Sequence, residues 1–307
     1  MGIWRWWQRR RRIALIRRAA LPEDLWAEAL AHASELFAGL NDREKRKLRD
    51  LTTLFLATKK FFGARGLALT AAMKTVIAAQ ACLPILNLDF DCYADWISIV
   101  VYQDSFIAHR EETDADGIVH HGSEVLAGES WAGGPVVLSW ADCAPGAHPH
   151  GPAGNVIIHE FAHKLDMLNG VANGMPPLHQ DMSVAVWAAT MTKAFTELRT
   201  TLESRTGPPA KPLIDEYAAE DPAEFFAVLS EYFFMAPVYL RGIMPAVYQQ
   251  LTLYYRQDPA RFRADASLKP GFGSCSLSGP LWTDNRGFPG RAGCGPDGCK
   301  PRGGAGG

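Results

Sequence analysis

Two histidines placed four residues apart inside an apolar stretch constrain the fold more than any other feature of the chain. His159 and His163 belong to a His-Glu-x-x-His pattern at residues 159–163. On an α-helix, residues four apart lie one turn above each other, so both imidazoles can reach one ion. The flanking residues 155–158 and Leu165 are mostly apolar, which predicts a buried helix. Because unpaired polar groups are costly to bury, the pattern predicts a metal ion bound to this helix.

Glu160 adds a third functional group beside the two histidines. In zinc peptidases of the H-E-x-x-H type, the histidines bind zinc and the glutamate acts as a general base. The alternative is a coincidental polar stripe on a helix, but the apolar context argues against it, since each buried polar group would then need its own partner. We therefore expect one zinc ion per chain.

A catalytic zinc usually has a third protein ligand, and residues 164–170 contain no further histidine to supply it. A second predicted helix offers two carboxylates. It begins with Asp221 as N-cap and Pro222 at its first position, and it carries Glu224 and Glu231 two turns apart on one face. Glu224 could instead complete a capping box, and Glu231 could support a ligand without touching the metal. The spacing leaves these alternatives open.

Three blocks of the sequence resemble the Mlc titration factor A family of bacterial zinc metallopeptidases: His159–Asp166, Tyr217–Ala219 and Asp221–Phe234. The similarity extends over residues 20 to 265. It implies a gluzincin-like site in which Glu224, rather than Glu231, joins His159 and His163 as the third zinc ligand. It also implies that Glu160 is the base and that Tyr217 donates a hydrogen bond to the developing oxyanion.

The resemblance supports two functions of different classes. The first is a zinc metallopeptidase, aminopeptidase-like, that acts on peptide substrates. The second is a non-catalytic regulatory protein that sequesters a transcriptional repressor of sugar uptake, since the family is named for capturing the Mlc repressor. A complete set of catalytic residues favours the peptidase, because a pure binding module has no physical need for all of them.

The remaining pattern predicts an α+β fold of the zincin type. Helices are expected over residues 23–62, where one begins at Pro22–Asp24 and another at Asn41–Glu44, and a third helix is expected over residues 67–82. Strands are expected at 96–102, 106–108, 117–119 and 135–140. They would form a small mixed or antiparallel sheet ahead of the metal-binding helix, and the last strand could be an edge that receives an extended peptide.

Composition divides the chain into three parts: a basic and aromatic segment 1–22, a metallopeptidase domain 23–266 and a Gly/Pro-rich tail 267–307 that we expect to be disordered. A formal net charge of −2 gives no support for direct nucleic-acid binding. The apolar run 13–16 is too short for a signal peptide or a membrane span. We expect a solvated N-terminal segment rather than one in contact with an anionic membrane.

The single cysteines Cys82, Cys92 and Cys143 are typical of reduced thiols in a cytoplasmic protein. Three others, Cys275, Cys294 and Cys299, lie in the tail, where Cys294 and Cys299 could pair or bind a metal. Other polar residues have competing interpretations. We expect His120 and His121 to be loop residues, while His148 and His150 could line the cleft. Asp166 could support a ligand imidazole, or it could form a salt bridge or a hydrogen bond at the C-terminal end of the helix.

Overall fold

The computed structural model describes residues 2–104, 106–113, 119–126, 128–130, 133–143, 153–204 and 214–261. Within them the α-helices are α1 (Gly2–Arg18), α2 (Glu23–His32), α3 (Ser34–Phe37), α4 (Asp42–Thr58), α5 (Ala71–Cys82), α6 (Val156–Asp166), α7 (Val184–Glu203), α8 (Pro222–Met235), α9 (Pro237–Ile243) and α10 (Pro245–Tyr255). The strands are β1 (Lys60–Gly63), β2 (Ser98–Tyr102), β3 (Phe106–Thr113), β4 (Val119–Leu126), β5 (Gly128–Ser130) and β6 (Val136–Ser139). The fold is α+β, as predicted.

Four strands form one sheet in the order β1–β2–β6–β5. The first three run parallel, with Ile99 of β2 opposite Phe61 of β1 on one side and Val136 of β6 on the other. The three-residue strand β5 runs antiparallel to β6, and β3 and β4 form a separate antiparallel hairpin. Of the two predicted arrangements, the mixed sheet is the one observed, and a purely antiparallel sheet is wrong. Strands β1, β2 and β6 are parallel because long connections, one of them containing α5, carry the chain back between them.

Three local expectations about strands are also wrong. Residues 135–140 do not form a sheet edge, because β5 pairs with the outer side of β6. The predicted helical stretch 23–62 ends at Thr58, and Lys60–Gly63 forms β1 instead. His120 and His121 lie within β4 rather than in a loop.

The predicted starts of α2, α4 and α8 are confirmed, and those of α4 and α8 depend on a local side-chain cap, whereas α5 begins at Ala71 and not at the predicted Leu67. At the start of α4, Asn41 accepts from the backbone N–H groups of Arg43 and Glu44, and Glu44 accepts from the Asn41 backbone in return. Asp221 caps α8 by accepting from Ala223 and Glu224, with Pro222 at the first helical position.

Helix α6 is the buried centre of the described unit. All of its residues, Val156–Asp166, are buried, and it packs against α5, α8, β5 and β6. Phe161 of α6 lies in an aromatic cluster with Phe55, Tyr93 and Trp96, whose ring centroids are 5.2 to 6.2 Å apart. Close-packed rings of this kind hold the helix rigidly, and its polar side chains with it.

The chain divides into one unit over Met1–Ala266 and a second over Ser267–Gly307, and the second lies outside the described residues. The disorder of the tail and the pairing of Cys294 and Cys299 therefore stay predictions. Among the described residues, no helix combines the length and the apolar character needed to cross a lipid bilayer.

Candidate metal centre

The start of α6 sets the direction of both histidines. Asn155 is the N-cap, and its side-chain oxygen accepts from the Ile158 backbone N–H at 3.0 Å. The first turn is thereby fixed, and His159 and His163 follow one turn apart with their rings 4.8 Å apart between centroids. Helix α8 packs against α6 and brings Glu224, in its first turn, beside the two rings.

Three potential ligand atoms converge at this point. The Nε2 atoms of His159 and His163 are 3.1 Å apart. Glu224 Oε2 lies 3.0 Å from the first nitrogen and 3.3 Å from the second. All three side chains are largely withdrawn from water, with exposed fractions of 4%, 8% and 14%. The atoms form a nearly equilateral triangle in a largely buried site.

The dimensions of this triangle fit a zinc ion. With Zn–N and Zn–O distances of about 2.0 to 2.1 Å, two ligands of a tetrahedral site are separated by roughly 3.3 Å. The three observed distances of 3.0, 3.1 and 3.3 Å lie at or slightly below that value. Two imidazoles and one carboxylate are also the donor types of known catalytic zinc sites. The residues present therefore suit the metal that the sequence pattern predicts.

Glu231 lies on the far side of His159 from the triangle. Its Oε1 is 2.7 Å from His159 Nδ1, and its side chain is fully buried. An ionised carboxylate can only accept, so Nδ1 carries a proton and Nε2 is the nitrogen that faces the triangle. The two carboxylates that the sequence left as rivals thus occupy different places, Glu224 at the Nε2 atoms and Glu231 behind His159.

A buried hydrogen-bond chain continues from Glu231 to a third helix. The backbone N–H of Asn155 donates to Glu231 Oε2. The Asn155 side-chain amide donates to Gln80 Oε1 of α5 at 2.8 Å. Neither Gln80 nor the bridging role of Asn155 was predicted from the sequence. The available signal was weak: a glutamine buried in an apolar helix needs a partner, and an asparagine directly before an apolar helix is a typical N-cap.

The charged groups of the triangle shift one another's pKa values. Burial lowers the pKa of His159, but the hydrogen bonds with Glu224 and Glu231 outweigh it and raise that pKa well above its usual range. Burial raises the pKa of Glu224, whereas the hydrogen bonds with His159 and His163 lower it further, so the net pKa lies far below normal. Both shifts favour a cation shared among these groups, whether a proton or a metal ion.

Glu160 is 4% exposed and follows His159 directly on α6. Its charge acts on Lys164 one turn further along the helix. Burial lowers the pKa of Lys164 to about 8, while Glu160 opposes that shift. The Lys164 ammonium donates to the Gly134 carbonyl at 2.9 Å.

Tyr217 lies in a 3-10 helix, Glu216–Ala219, that leads into α8. The Asp215 side chain accepts from the Tyr217 backbone N–H at 2.9 Å and sets the start of this turn. The half-buried Tyr217 ring lies 6.0 Å from the His159 ring between centroids. All five residues predicted for the site therefore lie on α6, on α8 or on the turn that precedes α8.

Asp166 holds the loop after α6. Its Oδ2 accepts from the backbone N–H groups of Asn173 and Gly174, each at 2.7 Å. Within the described part of the chain, His163 Nδ1 has no hydrogen-bond partner, so Asp166 does not bond to this imidazole. Of the other candidates, His148 and His150 lie outside the described residues.

Comparison with known proteins assigns the family. The profile described as glucose-regulated metallo-peptidase M90 matches residues 4–256. The protein named Mlc titration factor A in Yersinia pestis (strain Pestoides F) is 40% identical over 235 residues, which is 76% of this chain and 84% of the relative. Its namesake in Yersinia pseudotuberculosis (serotype O:1b, strain IP 31758) gives the same values. The family resemblance drawn from the sequence is confirmed, and the chain belongs to the M90 family of glucose-regulated metallopeptidases.

Proposed function

We propose that the chain is a zinc-dependent peptidase with a zincin-like, gluzincin-type site, aminopeptidase-like and acting in the cytoplasm. The observation that carries the proposal is the triangle of His159 Nε2, His163 Nε2 and Glu224 Oε2, with edges of 3.0 to 3.3 Å. These residues would hold one zinc ion per chain. When bound, zinc acts as a Lewis acid toward the scissile carbonyl and makes water acidic enough to attack near neutral pH.

The remaining steps belong to side chains of the chain itself. Glu160 accepts the proton of the attacking water and passes it to the leaving amine, and a base in this role typically contributes about 100- to 10,000-fold in rate. Tyr217 donates its hydroxyl proton in a hydrogen bond to the developing oxyanion, and removal of one such donor costs about 100- to 1,000-fold. Glu231 keeps the Nε2 lone pair of His159 directed at the metal position.

A substitution of the base tests the proposal. Glu160→Gln keeps the shape of the side chain but cannot accept a proton. We expect the variant to retain its zinc and its melting temperature while losing at least about 100-fold in hydrolysis of a peptide library. The measurement is elemental analysis of protein purified without added metal, combined with cleavage kinetics. Hydrolysis at the native rate would show that Glu160 is not the base, and folded native protein without metal would refute the zinc site.

The printed name of the relatives supports a second candidate function. Those proteins are called Mlc titration factor A, a name that refers to Mlc. We propose that the chain also, or instead, sequesters an Mlc-like transcriptional repressor. Glu160→Gln separates the two functions, because a binding function that does not depend on catalysis survives the substitution. Pull-down of the repressor by the variant and by the native protein is the measurement.

A further inference from the structure

Helix α1 is attached to the rest of the protein by one side. The Arg12 guanidinium donates to Asp89 Oδ1 at 2.9 Å and also to Asp91, and it lies 5.6 Å from the centroid of the Phe90 ring. Leu15 and Ile16 of the same helix pack against the core. These contacts determine which face of α1 points away from the protein.

The opposite face, which we call the outer face of α1, consists of Trp6, Trp7, Arg10, Ile13 and Arg17. Four of these residues recur at intervals of three or four and therefore share one side of the helix. Trp6 is 47% exposed, Trp7 60% and Ile13 42%. The two indole rings meet edge to face at 5.3 Å, and the Arg10 guanidinium lies 4.0 Å above the Trp6 ring. Apolar and cationic groups thus form one continuous exposed surface.

Positive charge is concentrated on α1. Helix α1 carries seven of the 31 lysines and arginines of the chain and none of its 33 acidic residues. The rest of the protein is therefore net acidic. An anionic surface would attract α1 and repel the body, so it would orient the molecule with the outer face of α1 toward it.

We propose that the outer face of α1 binds the surface of an anionic lipid bilayer. Arginines near such a surface are attracted to the lipid phosphates, and tryptophans prefer the level of the headgroups. A nucleic acid would satisfy the arginines but leave Ile13 and much of the two indoles in water. A bilayer accepts both kinds of group, with α1 lying in the plane of the interface. The sequence alone favours a solvated segment, but it does not show that the apolar and basic side chains share the face opposite Arg12.

Vesicle sedimentation with the full-length, zinc-loaded protein tests this proposal. We expect binding to vesicles of phosphatidylcholine and phosphatidylglycerol, no binding to phosphatidylcholine alone, and weaker binding at higher salt. The double variant Arg10→Gln/Arg17→Gln should bind about 25-fold more weakly, or about fivefold per arginine. The matched control Lys193→Gln/Arg199→Gln on α7 removes the same charge from exposed positions and should bind as the native protein does.

A second pair of variants separates the apolar contribution from the charge. Trp6→Ser/Trp7→Ser should weaken binding to the anionic vesicles and leave its salt dependence intact. Val184→Ser/Val186→Ser removes exposed apolar surface from α7 and should have no effect. Unchanged zinc content and melting temperature establish that each variant is folded. The proposal is overturned if the protein binds both kinds of vesicle equally, or if the α7 control variants lose as much vesicle affinity as the α1 variants do. It is also overturned if the protein binds a DNA duplex more tightly than the anionic vesicles at the same phosphate concentration.

Discussion

His159 has a separate partner at each ring nitrogen, and this division of roles defines the site at the scale of single residues. Nδ1 donates to Glu231 at 2.7 Å, while Nε2 faces Glu224 and His163. A second partner of this kind fixes the tautomer and the ring orientation and makes the free nitrogen a better ligand. The two glutamates of α8 should therefore affect a bound metal ion in different ways.

Substitution of the two glutamates should separate these effects. Glu224→Gln removes the charged ligand atom and should leave the purified protein with little zinc. Glu231→Gln places an amide where His159 Nδ1–H and the Asn155 N–H both need an acceptor, and it should weaken zinc binding by about 10- to 100-fold without abolishing it. Competition with a chromophoric chelator measures both affinities. Full zinc occupancy in Glu224→Gln together with complete loss in Glu231→Gln would reverse the assignment.

The pKa shifts of His159 and Glu224 predict how the stabilisation of the protein by zinc depends on pH. The pKa of His159 is raised, so the stability gained from its protonation is complete below about pH 6.5 and is lost as the pH rises through the raised value. The pKa of Glu224 is lowered, so its contribution is present above about pH 4.3 and is lost on acidification through the lowered value. In the neutral range the metal-free site is therefore protonated on His159.

Zinc has to displace that proton, so its apparent affinity should rise about tenfold per pH unit for each proton released. At a fixed free zinc concentration, zinc should then raise the melting temperature more at about pH 8 than at about pH 6. Differential scanning calorimetry with and without zinc provides the measurement, and Glu224→Gln is the control that should show little zinc effect at either pH. An equal zinc effect in the native protein at both values would contradict this account.

At the scale of elements, the site depends on how three helices are joined. Asn155 caps α6, bonds through its backbone to Glu231 on α8 and bonds through its side chain to Gln80 on α5. One residue thus links the start of the metal-binding helix to both neighbours. A shift of α6 along its axis would break all three contacts together.

Asn155→Ala should therefore lower both stability and zinc affinity. The lost cap costs about 1 kcal/mol, and the Gln80 oxygen left without its donor adds about 1 to 3 kcal/mol. Ser183→Ala is the matched control, because Ser183 caps α7 in the same way, accepting from the Val186 N–H at 3.3 Å, but has no recorded contact with the triangle. Chemical denaturation and chelator competition should show a stability loss in both variants and a loss of zinc affinity in Asn155→Ala alone. Equal zinc affinity in the two variants would mean that Asn155 acts only as a cap.

At the scale of the whole molecule, the core lies within the unit Met1–Ala266, and the family match ends at residue 256. Residues 268–307 are rich in glycine and proline and show no apolar period. Such a composition buries little apolar surface. The catalytic groups proposed above all lie well before this tail.

Deletion of residues 268–307 should leave the melting temperature and peptide hydrolysis nearly unchanged, since a segment that buries little apolar surface contributes little to stability. Thermal unfolding and cleavage kinetics of the shortened chain provide the measurement. A fall of several degrees would show that the tail packs on the domain and that the predicted boundary at residue 266 is misplaced.

Local interactions explain what could be predicted from the sequence. The starts of α4 and α8 follow from caps that act within three or four residues, and the one-turn spacing of His159 and His163 follows from helical geometry. The direction of the strands could not be predicted in this way. Parallel and antiparallel strands share the same two-residue alternation, and the difference lies in the path of the chain between them.

The sequence by itself determined the metal-binding pattern, the family and the helices that carry the site. The residue spacing left Glu224 and Glu231 open because both lie on the same predicted helix face; the family resemblance implied Glu224, and the tertiary structure places Glu224 at the Nε2 atoms and Glu231 behind His159. Their separation depends on how α8 packs against α6, and His159 and Glu231 are 72 residues apart in the chain. The outer face of α1 became recognisable for the same reason, since the contacts of Arg12 with Asp89 and Asp91 establish which side of that helix is exposed. Contacts between distant segments follow from the packing of the whole core, and no local pattern encodes them.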